Sequence, residues 1–224
     1  MQDLKVIYED NHIIVVEKML NIPSQADKTG DIDMLTLVKD YIKEKYNKPG
    51  NVYLGLVHRL DRPVGGVMVF AKTSKAASRL SNQVREKIFK KKYLAVVDGR
   101  VEEIEGTLED YLYKDERNNI SKVVSKEKKN SKFAKLDYKV LKYNEVKDLS
   151  LLEINLHTGR HHQIRVQLAN FGHSIFGDQK YGTRGRGKQI ALWAYELTIE
   201  HPITKERITF KDLPEAIGTW CILK

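Results

Sequence analysis

Cysteine is almost absent: Cys221 is the one such residue among 224, which rules out an intrachain disulfide and a cysteine-rich zinc centre. Proline is scarce as well, with five residues, and no Gly/Ser/Pro linker or internal repeat divides the chain. No apolar run approaches the ~20 residues a membrane helix needs, and the opening MQDLKVIYED does not read as a signal peptide. A cytoplasmic enzyme or binding protein is the expectation. Acidic charge is also in deficit. Lys and Arg number 39 against 30 Asp and Glu, a net +9, and such a surface suits a polyanionic partner. A chain of this length can bury a core as one large domain or two closely joined subdomains, and it is read here as one domain over 1–224.

The apolar pattern supplies the elements. LKVIY at 4–8 and HIIVVE at 12–17 flank the turn signal EDN and predict a hairpin. Met34, Leu35, Val38, Tyr41 and Ile42 recur at helical spacing over 33–46, with Asp31 or Asp33 as cap. VMVFA at 67–71 predicts a strand. A helix capped by Thr73 or Ser74 follows, with Ala76, Leu80, Val84 and Ile88 on one face. YLAVV at 93–97 predicts a strand closed by the turn Asp98-Gly99. The lysine-rich segment 114–135 is either a surface loop or a weak β-excursion. Strands are expected at 135–143 and 149–156, a helix near 161–170, an irregular glycine-marked segment to 187, and two final strands. Strands outnumber helices and often follow one another directly, which predicts a mixed, largely antiparallel α+β fold.

Four segments carry the chemistry: HRLDRPVGGVMVFAK at 58–72, KKYLAVVDG at 91–99, TGRHHQIRVQLANFGHSIFGDQKYG at 158–182 and ALWAYELTIEHP at 191–202. Together and in this order they resemble the RluA-type family of RNA pseudouridine synthases, from about residue 5 to the C-terminus. The resemblance implies a curved mixed sheet crossed by a catalytic cleft, with helices packed outside. It covers the catalytic domain alone, without the S4-type RNA-binding domain many relatives carry. It assigns the catalytic aspartate to Asp61 and its arginine partner to Arg165. Tyr93 matches the tyrosine that stacks on the target base, and Arg59 matches the arginine that enters the RNA stack when the uridine turns out. Ile164 would form the apolar wall opposite Tyr93. His58 belongs to the motif but is assigned no chemistry. Val64 and Gly65 replace the two hydroxyl residues usual in HRLD-x-x-T-S-G, and His161 stands where threonine is commoner.

The chemistry such a family performs explains the residue types. Uridine must lose its N1–C1′ bond, turn its base and rejoin it through C5. An ionised carboxylate can attack C1′ or take a proton from C2′, and a neighbouring arginine favours that ionised form against desolvation. The bonds broken and made balance within the substrate, so no metal or organic cofactor is needed. The partner expected is ribosomal or transfer RNA, with no DNA or membrane, and the protein is expected to be a monomer. Arg62, Arg160, Arg184, Arg186 and Lys188 are candidate RNA contacts, supported by the lysines of 126–132. GTRGRGK at 182–188 has the spacing of a phosphate-binding loop, but Gln189 replaces the Ser/Thr and a strand follows, so it reads as a basic loop. His157, His161 and His162 cluster without acidic or thiol ligands nearby, which argues against zinc. A catalytically silent RNA-binding or chaperone protein is the alternative reading.

Overall fold

The computed structural model describes residues 4–182 and 187–224. Its chain divides into two compact units, Met1–Lys90 with Ala194–Pro214, and Lys91–Trp193 with Glu215–Lys224. The fold is α+β and mostly antiparallel, as expected.

In the first unit, β1 (Val6–Glu9) and β2 (Ile13–Lys18) form the predicted hairpin, with Val6 opposite Val16. Asp10 shapes its turn, accepting the N–H groups of His12 and Ile13 at 2.7 Å each. β2 also pairs along β4 (Gly65–Ala71), from Ile13–Ala71 to Lys18–Gly66, and the two-residue β3 (Gly55–Leu56) lies on β4 as well. Helix α1 (Met34–Lys45) is capped by Asp33, whose side chain accepts the Thr36 N–H, and α2 (Ser74–Arg85) by Thr73. The two helices cover opposite faces. Ile14, Val16, Met68 and Phe70 pack against Met34, Val38 and Ile42 of α1. Ile13, Val15, Val67 and Val69 pack against Ala76 and Leu80 of α2. A strand buried on both faces reads as a continuous apolar run, as IIVV and VMVFA do.

α2 is shorter than its periodicity predicts. Lys87 takes a left-handed backbone (φ 59°), and the Gln83 carbonyl accepts the N–H groups of Ile88 and Phe89. That closure leaves Ile88 exposed and buries Phe89 instead. β10 (Leu192–Glu200) and β11 (Arg207–Lys211) pair from Glu196–Lys211 to Glu200–Arg207.

In the second unit the strands run in the order β5 (Lys90–Asp98), β9 (Leu149–Leu156), β8 (Lys132–Asn144), β6 (Glu105–Asp115), β7 (Ile120–Val124). The β-excursion is thus the form the lysine-rich segment takes. β6 was not expected, because Glu105, Glu109, Asp110 and Asp115 mask its alternation. Leu108 opposite Leu136 and Leu112 at its far end still face inward. Helix α3 (Gln163–Asn170) covers this inner face, with Val166 against Leu112 and Ala134. A 3-10 helix, Gly218–Leu223, ends the chain.

Candidate active site

Asp61 sits on a turn between β3 and β4 in the first unit, its carbonyl accepting the Val64 N–H at 3.0 Å. Pro63 within the turn restricts its backbone. Three side chains hold this turn from below. The Ser24 hydroxyl donates to the Leu60 carbonyl (2.9 Å) and accepts the Leu60 N–H (3.1 Å). His58 Nε2 accepts the buried N–H of Val69, and its ring lies 5.1 Å from Phe89. Lys18, with no exposed surface, donates to the carbonyls of Met19 (3.0 Å), Arg62 (2.9 Å) and Val64 (2.7 Å). Burial pushes the Lys18 ammonium down to about 7, opposed by the charge of Asp61 and assisted by that of Arg62. Sequence reasoning missed both Lys18 and Ser24. The lysine closing the apolar run IIVVEK was the available signal.

Above this base, Asp61 is half-buried and Arg59 exposed. Arg62 ties the turn to the loop before α1. Its Nε donates to the Asn21 carbonyl (3.1 Å), and its guanidinium reaches Thr29 (3.2 Å) and pairs with Asp31. Asp31 therefore closes a loop over the turn while Asp33 caps the helix. Gly66, second in β4, has φ +117°, where a Cβ would lie 2.2 Å from the Ala194 carbonyl oxygen. Only glycine permits that approach.

The second unit positions the rest. Tyr93 lies on β5 opposite Ile154 and is buried. α3 is fastened to its sheet by a glutamine relay. Gln163 accepts from Thr158 (2.7 Å) and donates to the Lys135 carbonyl (3.1 Å) and to Gln167 (2.9 Å). Gln167 in turn donates to Asp110 (2.7 Å). This fastening explains Thr158 and Gln163 within TGRHHQIR. Ile164 and Arg165 are both buried on α3. Arg165 makes a two-pronged ion pair with Asp178, Nε to Oδ2 at 2.8 Å and Nη2 to Oδ1 at 2.7 Å. Its guanidinium carbon stands 5.3 Å from the Tyr181 ring centre. Asp178 also accepts the N–H groups of Lys180 and Tyr181, so the loop after α3 is built around this carboxylate. Sequence reasoning did not single out Asp178.

The three histidines take separate partners: His157 pairs with Asp137, His161 with Ser121, and His162 with the Tyr181 hydroxyl (2.9 Å). His162 precedes α3 in a left-handed conformation. Burial first, then the charges of Arg165, His161, Lys180 and Lys114, hold it down at about 2, so it is neutral at physiological pH. Arg160 is exposed, its Nε donating to the Phe133 carbonyl at 2.8 Å. Lys188 is exposed too. Arg184 and Arg186 lie outside the described residues.

The fold is that of pseudouridylate synthase domains. Human RNA Pseudouridylate Synthase Domain Containing 1 superposes with a TM-score of 0.78 over 98% of this chain and 86% of its own, at 21% identity. The model of the RNA pseudouridylate synthase family matches residues 12–170, and the chain belongs to that family. It is 34% identical over 210 residues to the uncharacterised RNA pseudouridine synthase YhcT of Bacillus subtilis strain 168, covering 92% of this chain and 67% of that one. It is 33% identical over 214 residues to the dual-specificity RNA pseudouridine synthase RluA of Escherichia coli K12, covering 93% and 92%. Members of the family are isomerases that convert uridine to pseudouridine within RNA, and RNA is the substrate class.

Proposed function

We propose that this chain isomerises uridines in ribosomal or transfer RNA, with Asp61 as the reacting carboxylate. The observation that carries the reading is the turn itself: a half-exposed carboxylate on a backbone held by Lys18, Ser24 and His58. A reacting acid needs a fixed approach, and a rigid support supplies it. Asp61 attacks C1′ or removes the C2′ proton. Either route breaks N1–C1′, turns the uracil, joins C5 to C1′ as the Asp61–C1′ bond breaks or the proton returns to C2′, moves the C5 proton off and places one on N1. Arg165 is proposed to orient Asp61, and its planar fork suits a carboxylate where the point charge of lysine does not. Tyr93 and Ile164 would sandwich the base. Arg59, exposed beside Asp61, would fill the gap that the flipped nucleotide leaves. Arg62, Arg160, Arg184, Arg186 and Lys188 would meet phosphates. The relative named for dual specificity supports more than one RNA target as a candidate. A monomer acting in the cytoplasm completes the proposal.

Asp61→Asn should abolish tritium release from RNA labelled at uridine C5. Filter binding should stay close to wild type, because affinity is spread over many cations. Normal release by the variant would remove Asp61 from the chemistry.

A further inference from the structure

Cross-strand partners in β6, β7 and β8 share a face, so the register assigns every side chain of this three-stranded segment. Leu112, Val123 and Ala134 face inward, where α3 and Tyr181 cover them. Tyr111, opposite both Val124 and Phe133, and Tyr113, opposite Lys122, point the other way. The outer face therefore carries three aromatic rings. Phe133 remains 39% exposed, its ring edge-on to Tyr111 at 5.7 Å. The Lys128 ammonium stands 5.4 Å over the Tyr113 ring. Lys122 is exposed beside Tyr113, and Arg160 lies against the Phe133 backbone. Residues 111–135 hold eight Lys and Arg against three Asp and Glu, a concentration of cations that the fold alone does not require.

We propose that this outer face is a stacking platform for unpaired bases of the RNA, separate from the nucleotide that reacts. Tyr111 and Tyr113 stand two residues apart on one strand, about 7 Å. That is twice the ~3.4 Å rise per base of a stacked strand, a spacing that receives splayed bases rather than a closed duplex. Aromatic rings on a sheet surface take bases by their faces, and neighbouring lysines take the phosphates. A protein partner would meet a strongly cationic rim, whereas RNA complements it. The platform is also tied to the helix that bears Arg165. On the inner side of β7, the Ser121 N–H donates to the Tyr181 hydroxyl (2.6 Å), and the Ser121 hydroxyl donates to the His161 carbonyl (2.7 Å). RNA held on the platform is thus held by the same framework that fixes α3.

The inference rests on RNA being the substrate, and its test separates the two. Binding to an unstructured RNA 12-mer and to a 12-base-pair RNA duplex would be compared at several salt concentrations. Tyr113→Leu/Phe133→Leu should weaken single-strand binding by roughly 30-fold or more, the loss of stacking on two rings, with duplex binding and the salt slope unchanged. Tyr113→Trp keeps a flat face and should keep affinity, with tryptophan emission quenched as the single strand binds. Ultraviolet cross-linking of the unaltered protein should attach RNA to peptides from 111–133. Wild-type single-strand affinity in the Leu variant, together with cross-links elsewhere, overturns the platform while leaving the isomerase reading intact. A wild-type protein that binds neither RNA overturns both.

Discussion

A lysine with no exposed surface has to place its ammonium against acceptors, and Lys18 finds three carbonyls around the Asp61 turn. Lys18→Met leaves those carbonyls without their donor, so the variant should lose about 1–3 kcal/mol. The loss should also depend on pH. The folded pKa of about 7 lies below the free value of 10.5, so between them the unfolded chain holds a proton the folded chain has released. Stability from this group therefore rises as pH climbs through that window. Urea unfolding at pH 6.5 and pH 9.5 (roughly the ends of the window) should show a larger gap between wild type and variant at the higher pH; a smaller gap would contradict the burial argument. Asp178 is the corresponding residue of the second unit. Asp178→Asn breaks the two-pronged buried pair with Arg165, expected to cost about 3–5 kcal/mol. Unfolding at wild-type denaturant concentration would mean that the pair contributes nothing. Asp61 and Arg165 were marked as candidates by their motifs. Lys18 and Asp178 were not, since neither type nor spacing marks which charge will be enclosed.

Among the elements, runs with one clear period were read correctly: the β1–β2 hairpin, α1 with its Asp33 cap, and the apolar β4. Errors fell where local pattern and packing disagreed. The apolar series of α2 continued to Ile88, yet burying Phe89 required the chain to turn at Lys87. β6 lay hidden because its outer face is solvent and its inner face carries Asp110, satisfied by Gln167. β4 illustrates how strictly an element can depend on one residue. Gly66→Ala would place a methyl 2.2 Å from the Ala194 carbonyl at a φ of +117°, costing about 3 kcal/mol or more. Thermal melting within about 2 °C of wild type would show that β4 can shift without penalty.

For the whole molecule, the +9 balance implies that affinity for RNA falls with salt. Changing Arg184, Arg186 and Lys188 together to alanine should reduce the slope of log K against log salt by about 2 to 3, if each releases its counterion. The single-turnover rate at saturating RNA should be largely preserved, because these residues take no part in bond making. Titrations at several salt concentrations decide it, and an unchanged slope would move the RNA path to another surface. Glu9 sets a second molecule-wide limit. Burial alone would raise it, but hydrogen bonds from Lys45, Lys72 and Tyr46 hold it at about 2. Its contribution to stability is complete above pH 4.5 and disappears as pH falls toward 2.

By itself the sequence determined the family, Asp61 as the candidate acid, the excess of positive charge and those elements whose apolar period is short and regular. Each of these is local: a motif, a composition or a repeat read within a few residues. The tertiary structure decided which groups support the acid and which faces remain open. Lys18 meets a carbonyl 44 residues away, Ser24 grips Leu60 from 36 residues away, and Arg165 finds Asp178 across a loop. Tyr111 and Phe133 become neighbours only once β6 and β8 pair in register. Such contacts depend on burial and long-range closure, to which no local period in the chain corresponds.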